Sequence, residues 1–144
     1  MVEIKTNIER LDTLSIDYSE QLAALYRETG KHPHPDCTTV HEFNISRIRK
    51  ALCNSYACFG AFDGDKMVGF ARALSDGISD AYIAEIIVSS SYRKLEIGTK
   101  LCASLVKFLK EKKIEWITAI ATPEAFSLYS KVGAQMVNHT PFRF

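Results

Sequence analysis

The sequence predicts an α/β (α+β) fold: a mixed, mostly antiparallel sheet flanked by helices. Three observations carry this expectation. Between Tyr56 and Val88 the chain passes through three apolar segments separated by Asp63-Gly64-Asp65-Lys66 and by Asp76-Gly77, a pattern of strands joined by tight turns. Ile97, Leu101, Leu105, Phe108 and Leu109 then form one apolar stripe at helical spacing, with Lys100, Lys107, Lys110 and Lys113 largely outside it. The length of 144 residues, with 47% hydrophobic and 24% charged residues, suits one domain (1–144) that can bury its own core.

The elements follow in order. Residues 2–8, Val-Glu-Ile-Lys-Thr-Asn-Ile, alternate apolar and polar and predict a first strand. Tyr18, Leu22, Leu25 and Tyr26 predict a helix that Gly30, Pro33 and Pro35 end, leaving 31–36 as a loop. Val40, Phe43, Arg47, Ile48, Ala51 and Leu52 share one face of a second helix, with Thr38 or Thr39 available as its cap. Strands over 56–62 and 67–74 make a hairpin, and 81–88 carries enough apolar residues for a central strand covered on both faces. After the third helix, 115–120 reads as a strand, and 123–132 as a short helix with Pro123 at its start and Gly133 at its end. A closing strand is expected within 134–144. The predicted order is β-α-α-β-β-β-α-β-α-β, without repeat or linker.

Composition narrows the function classes. Eighteen Lys and Arg against seventeen Asp and Glu give a formal charge of +1, too weak a field for a general polyanion or nucleic-acid binder. No apolar run approaches the roughly 20 residues that span a bilayer, and charged residues interrupt the N-terminal segment, so no membrane partner and a cytoplasmic location are expected. Cys37, Cys53, Cys58 and Cys102 contain no C-x-x-C pair and no zinc spacing, which fits free thiols in a reducing compartment and no metal. No G-x-G-x-x-G follows an early strand, which disfavours a dinucleotide-binding domain.

The informative unit is the stretch 86–99, Ile-Ile-Val-Ser-Ser-Ser-Tyr-Arg-Lys-Leu-Glu-Ile-Gly-Thr, joining the fourth strand to the third helix. A helix N-terminus offers unpaired N–H groups and the positive end of the macrodipole, and Arg93, Lys94 and Thr99 add donors, so the stretch is a phosphate-site candidate. A capped helix with a small residue for packing at Gly98 is the bland alternative.

This stretch resembles the GNAT superfamily of acyl-CoA-dependent N-acetyltransferases. In that family a hydrophobic strand leads into Arg or Gln-x-x-Gly-x-Gly or Ala, similar to Ile86-Ile87-Val88 followed by Arg93 to Gly98. A second family mark, Phe-Tyr-x-x-x-Gly-Phe, resembles Leu128-Tyr129-Ser130-Lys131-Val132-Gly133-Ala134. The resemblance implies acetyl-CoA as co-substrate, lying in an opening between the fourth and fifth strands. Backbone groups of Ile86, Ile87 and Val88 would meet its pantetheine arm. Arg93, Lys94, Leu95, Glu96, Ile97, Gly98 and Thr99 would hold the pyrophosphate, and Thr122 would line the same site.

Tyr129 is the implied general acid for the departing sulfur, and the amide of Val88 or Ile87 the implied donor to the carbonyl oxygen. Glu85 is the first choice of base, with Asp80 and Asp76 as weaker alternatives that also suit turns. The acceptor pocket would draw on Tyr26, Phe43 and the loop carrying His34. The expected reaction is acetyl transfer to a primary amine of a small molecule, by direct attack in a ternary complex. The expected partners are that amine and, as in many such folds, a second copy in a homodimer.

Two departures stand out. Glu96 replaces the first glycine of the motif, and a carboxylate beside a pyrophosphate is unfavourable unless it turns outward or pairs with a cation. Ala134 replaces an aromatic residue. These departures leave open a non-catalytic or degenerate acyl-CoA-binding or regulatory domain.

Overall fold

The computed structural model describes residues 5–30 and 45–144. In chain order these form β1 (Asn7–Arg10), α1 (Ser19–Thr29), α2 (Ile45–Asn54), β2 (Ala57–Asp63), β3 (Lys66–Ser75), β4 (Asp80–Val88), a 3-10 turn (Ser90–Tyr92), α3 (Ile97–Glu111), β5 (Trp116–Ala119) and α4 (Phe126–Lys131). The five strands form one sheet in the order β1-β2-β3-β4-β5. All neighbours are antiparallel except β4 and β5, which run parallel. The mixed sheet expected from the sequence is therefore present, with β3 at its centre and β4 beside it. Among the described residues no helix is long and apolar enough to cross a membrane.

Each face of the sheet carries its own core. Phe59, Ala61, Val68, Ala71, Ala73 and Ile83 pack against Ile97, Leu101, Leu105 and Leu109 of α3. On the opposite face Cys58, Phe62, Met67, Phe70 and Ile87 pack against Leu22, Leu25 and Tyr26 of α1 and Ile48 and Leu52 of α2. Leu101, Leu105 and Leu109 are fully buried, and each such side chain contributes about 1.5–3 kcal/mol relative to exposure. By contrast, α4 has no fully buried residue, so it is held far less firmly than α3.

The strand ends follow local chemistry. The β2–β3 hairpin closes through Gly64 and Asp65, with Gly64 at a φ of 60°, which favours glycine. Strand β1 lies at Asn7–Arg10 and pairs with Phe62–Phe59, later than the expected 2–8; residues 2–4 of that span lie outside the described residues. The first residues of the expected second helix, 40–44, and its cap at Thr38 or Thr39 lie outside them too.

One expectation fails. Residues 134–144 form no strand: the segment is irregular, and Met136, Val137, Phe142 and Phe144 are exposed. A strand persists only where its N–H and C=O groups find partners, and this segment pairs with no strand although the outer edge of β5 is open. Pro141 also removes a donor within the segment.

The feature that positions the site is a β-bulge. Arg72 pairs with Glu85 and Ala73 with Ile83, so Ala84 has no opposite residue. The extra residue resets the alternation. Ala81 and Ile83 face α3, whereas Glu85 and Ile87 point toward α1 and α2. Pairing between β4 and β5 also stops at Ile83 and Ala119, leaving Ala84–Val88 without a neighbour on that edge.

Close packing of α3 on the sheet makes a test. A Cβ on Gly69 would come within 2.9 Å of Leu101 Cδ1, 3.1 Å of Ile97 Cγ2 and 3.2 Å of Ala61 Cβ. Gly69→Ala is expected to destabilise the fold by about 1–3 kcal/mol, read from urea unfolding; an unchanged midpoint would show that α3 can move away at little cost.

Candidate active site

Where β4 and β5 part, a cleft of about 950 Å³ opens between β4, the N-terminus of α3 and α4. Its walls include Glu85, Ile86, Ile87, Val88, Arg93, Lys94, Glu96, Ile97, Gly98, Thr99, Thr122 and Tyr129. These are all but one of the residues the sequence assigns to catalysis and cofactor binding; the exception is Leu95, which is exposed and does not line the cleft. Of the residues assigned to the acceptor, Tyr26 is buried behind the wall, and His34 and Phe43 lie outside the described residues.

The register determines which β4 amides face the cleft. Phe70 stands opposite Ile87, and the Ser89 N–H donates to the Val68 carbonyl at 2.8 Å. Antiparallel pairing spends the backbone groups of alternate residues on the neighbouring strand. Those of Ile87 and Ser89 are thus used by β3, while those of Ile86 and Val88 point away from β3 toward the open edge. Of the two amides the sequence offers for the carbonyl oxygen, that of Val88 faces the open edge and that of Ile87 faces β3.

The loop into α3 supplies donors. Its first intrahelical bond runs from the Lys100 N–H to the Glu96 carbonyl at 3.0 Å, and no side chain caps the helix. The N–H groups of Ile97, Gly98 and Thr99 therefore precede the helical ladder. Lys94 and Glu96 adopt φ values of 67° and 60°, a region glycine enters more readily. The family glycine at position 96 thus answers a backbone requirement that Glu96 meets with its side chain turned aside. Glu96 Oε1 accepts from Lys131 Nζ at 3.0 Å, and this hydrogen bond holds the carboxyl below its usual pKa. Gly98 has a packing role: a Cβ there would come within 2.7 Å of Leu128 Cδ1 on α4.

Glu85 sits in a buried polar network. Its Oε1 accepts from the Tyr26 hydroxyl and, at 3.0 Å, from Arg72 Nε. The Arg72 guanidinium also donates to Ser55 Oγ at 3.4 Å, and Ser55 in turn donates to the Ala51 carbonyl at 2.6 Å. The Tyr26 hydroxyl is pushed far above its ordinary pKa by burial and then by the Glu85 charge, so it remains a donor. Burial likewise pushes the neighbouring Cys58 thiol up to about 11, so it brings no charge. Nearby, the Ser89 hydroxyl donates to Glu28, tying the end of α1 to the loop after β4. Asp76 accepts from the Ile78 N–H at 2.8 Å and the Ser79 N–H at 3.3 Å, as a turn residue does. Of the residues around Glu85, sequence reasoning gave a site role only to Tyr26, in the acceptor pocket; Arg72 and Ser55 escaped it because they come from β3 and the end of α2, and only the bulge at Ala84 turns Glu85 toward them.

Tyr129, on α4, lines the cleft while packing against the α3 side of the core. Burial, with smaller contributions from Cys102 and Tyr82, pushes its phenol up to about 12. It is therefore protonated at neutral pH and able to donate.

Comparison with known proteins agrees with this geometry. The profile of the Acetyltransferase (GNAT) family matches residues 19–134. The chain belongs to that family. It is 31% identical over 93 residues to an "Uncharacterized N-acetyltransferase ycf52-like" of Prochlorococcus marinus, covering 62% of this chain and 52% of that one. The chain thus spans about half the length of the curated relatives it matches. Among solved structures, a probable acetyltransferase from Staphylococcus aureus superposes with a TM-score of 0.75 at 20% identity, covering 97% of this chain and 100% of that one. An aminoglycoside N-acetyltransferase in complex with CoA superposes with a TM-score of 0.70 at 16% identity, covering 97% and 94%. These likenesses establish the GNAT fold.

The backbone at position 96 makes a second test. Glu96→Gly relieves the positive φ and removes an exposed ion pair with Lys131 and a contact with Thr99, weak contributors to stability. The melting temperature is expected to stay level or rise; a clear fall would mean that the Glu96–Lys131 pair holds α4 in place.

Proposed function

We propose that this GNAT domain transfers the acetyl group of acetyl-CoA to the primary amine of a small molecule, by direct attack in a ternary complex. The observation that carries the reading is the cleft itself. It combines the free β4 edge at Ile86 and Val88, the α3 N-terminus and two proton-handling side chains, Glu85 and Tyr129. The donor set fits the co-substrate: the β4 edge suits an amide-bearing arm, and the N–H groups of Ile97 to Thr99, with Arg93 and Lys94, suit a pyrophosphate. Acetyl-CoA brings an acetyl group activated as a thioester. The free thiols of Cys53, Cys58 and Cys102 support a reducing, cytoplasmic setting.

The chain's own residues then divide the work. The Val88 N–H stabilises negative charge on the carbonyl oxygen as the nitrogen attacks. An amine that arrives as an ammonium sheds one proton to become nucleophilic and a second once the C–N bond has formed. Glu85 accepts from the nitrogen, directly or through a water, and passes protons to solvent. As the C–S bond breaks, Tyr129 gives its proton to sulfur and is reprotonated from solvent, so the balance is amide, thiol and one released proton. The alternative of a degenerate acyl-CoA-binding domain rested on Glu96, whose carboxylate is paired with Lys131.

Calorimetric titration with acetyl-CoA, with free CoA and ATP as controls, tests the reading first. Saturable binding followed by thiol release with amines is expected, and no binding at millimolar ligand would overturn it. Tyr129→Phe is expected to lower turnover about 100-fold while leaving acetyl-CoA binding nearly unchanged. Unchanged turnover would remove Tyr129 from the mechanism. Because the phenol titrates near 12, loss of its proton should produce no falling limb in turnover below about pH 11.

A further inference from the structure

Glu85 is 9% exposed, and its two carboxylate oxygens differ sharply. Oε1 is saturated by Tyr26 and Arg72. Oε2 is buried and has no hydrogen-bond partner among the described residues. Leaving one buried carboxylate oxygen unmatched carries a desolvation cost that native structures rarely accept without a reason. Glu85 belongs to the cleft wall, and Oε2, the oxygen left unmatched there, is shielded from solvent, so a donor must enter the wall to meet it.

From this asymmetry we infer that Arg72 and Tyr26 are positioning residues that occupy Oε1 and so present Oε2 alone to the N–H of the incoming amine or its bridging water. The inference rests on the acetyltransferase reading above and goes beyond it, because it states how Glu85 is aimed and which amines gain from it.

The geometry gives each residue a separate task. A glutamate side chain rotates about several bonds, and without a fixed partner its two oxygens exchange places. Arg72 pins Oε1 in a buried ion pair, with side-chain exposures of 14% and 6% for Arg72 and Glu85. Its rigid fork reaches both Glu85 and Ser55, which ties the carboxylate to the end of α2. Tyr26 brings a second donor from α1 and, fully protonated, can only donate to a carboxylate. Two elements, α1 and β3, thus converge on one oxygen and leave the other free. The consequence is selective: amines that arrive as ammonium ions must surrender a proton before attacking, whereas amines already neutral at the assay pH need less help from Oε2. In the favoured step an N–H bond breaks, an O–H bond forms at Oε2, and the electron pair left on nitrogen forms the new C–N bond.

The test compares two amine classes on the full chain. One is a primary alkylamine whose conjugate acid has a pKa of about 10; the other is an arylamine that is neutral at the assay pH. The variants are Tyr26→Phe and Arg72→Lys, with acetyl-CoA binding by calorimetry as the control for an intact fold. In each variant kcat/KM for the alkylamine is expected to fall about tenfold or more, with the arylamine little affected and acetyl-CoA binding retained. An equal fall for both amines would show a merely structural role, and no fall for either would show that Oε1 needs no clamp; both outcomes overturn the inference. If Arg72→Lys fails to fold, Tyr26→Phe, which removes a single hydroxyl, decides alone. A wild-type chain that binds acetyl-CoA yet releases no thiol with any amine would overturn the transferase reading itself, and the inference with it.

Discussion

The one-residue bulge at Ala84 is the constraint on which the site depends. A regular strand would place Ile83 and Glu85 on the same face, against the apolar side of α3. There an ionised carboxylate would find no partner among Ile97, Leu101 and Leu105. With Ala84 unpaired, Glu85 crosses to the face where Arg72 and Tyr26 wait. On the other edge of β4, pairing with β5 ends at Ile83, so the backbone from Ala84 onward is available to something other than protein. Side-chain chemistry and an open backbone edge thus begin at the same residue.

Burying a charge pair at that point carries a cost that an apolar cluster would avoid. Ion pairs in low dielectric seldom repay their desolvation, and removing one partner typically costs about 3–5 kcal/mol. The surrounding sheet can carry this burden. Phe70 and Val68 of β3 and Leu22 and Leu25 of α1 are almost wholly excluded from water. The network therefore sits in a frame stable enough to hold a polar cluster that contributes little to folding. Such local departures from the rules of stable cores are where function is found.

Much of this was legible in the sequence because it rests on short-range pattern. The stripe Ile97, Leu101, Leu105, Phe108 and Leu109 marked α3, which runs from Ile97 to Glu111, and the Asp-Gly turn marked the β2–β3 hairpin. The strand-to-helix position of 86–99 marked a phosphate-site candidate, and the family resemblance supplied the roles of its residues. What was not legible depends on pairing across the fold. The bulge has no local signature in Tyr82-Ile83-Ala84-Glu85; the sequence places Tyr26 in the acceptor pocket only, and nothing local ties Arg72 to Glu85. The expected closing strand over 134–144 failed for the same reason: Met136, Val137 and Phe142 suggest a strand, but residue type does not reveal whether a segment pairs with an open edge such as that of β5.

Position 96 shows how a family glycine can be lost without losing its geometry. The need there is a backbone turn that leaves the first N–H groups of α3 pointing outward, and Glu96 satisfies it at a φ of 60°. Its carboxylate, the apparent objection, is drawn onto Lys131 and neutralised. Exposed charges of this kind are weakened by salt over a Debye length of about 8 Å, whereas N–H groups in direct contact with an anion are not. The fixed amides of Ile97, Gly98 and Thr99, rather than the charge of the surrounding side chains, therefore set what the loop can hold. A formal charge of only +1 is therefore no objection to the anion site proposed at this loop.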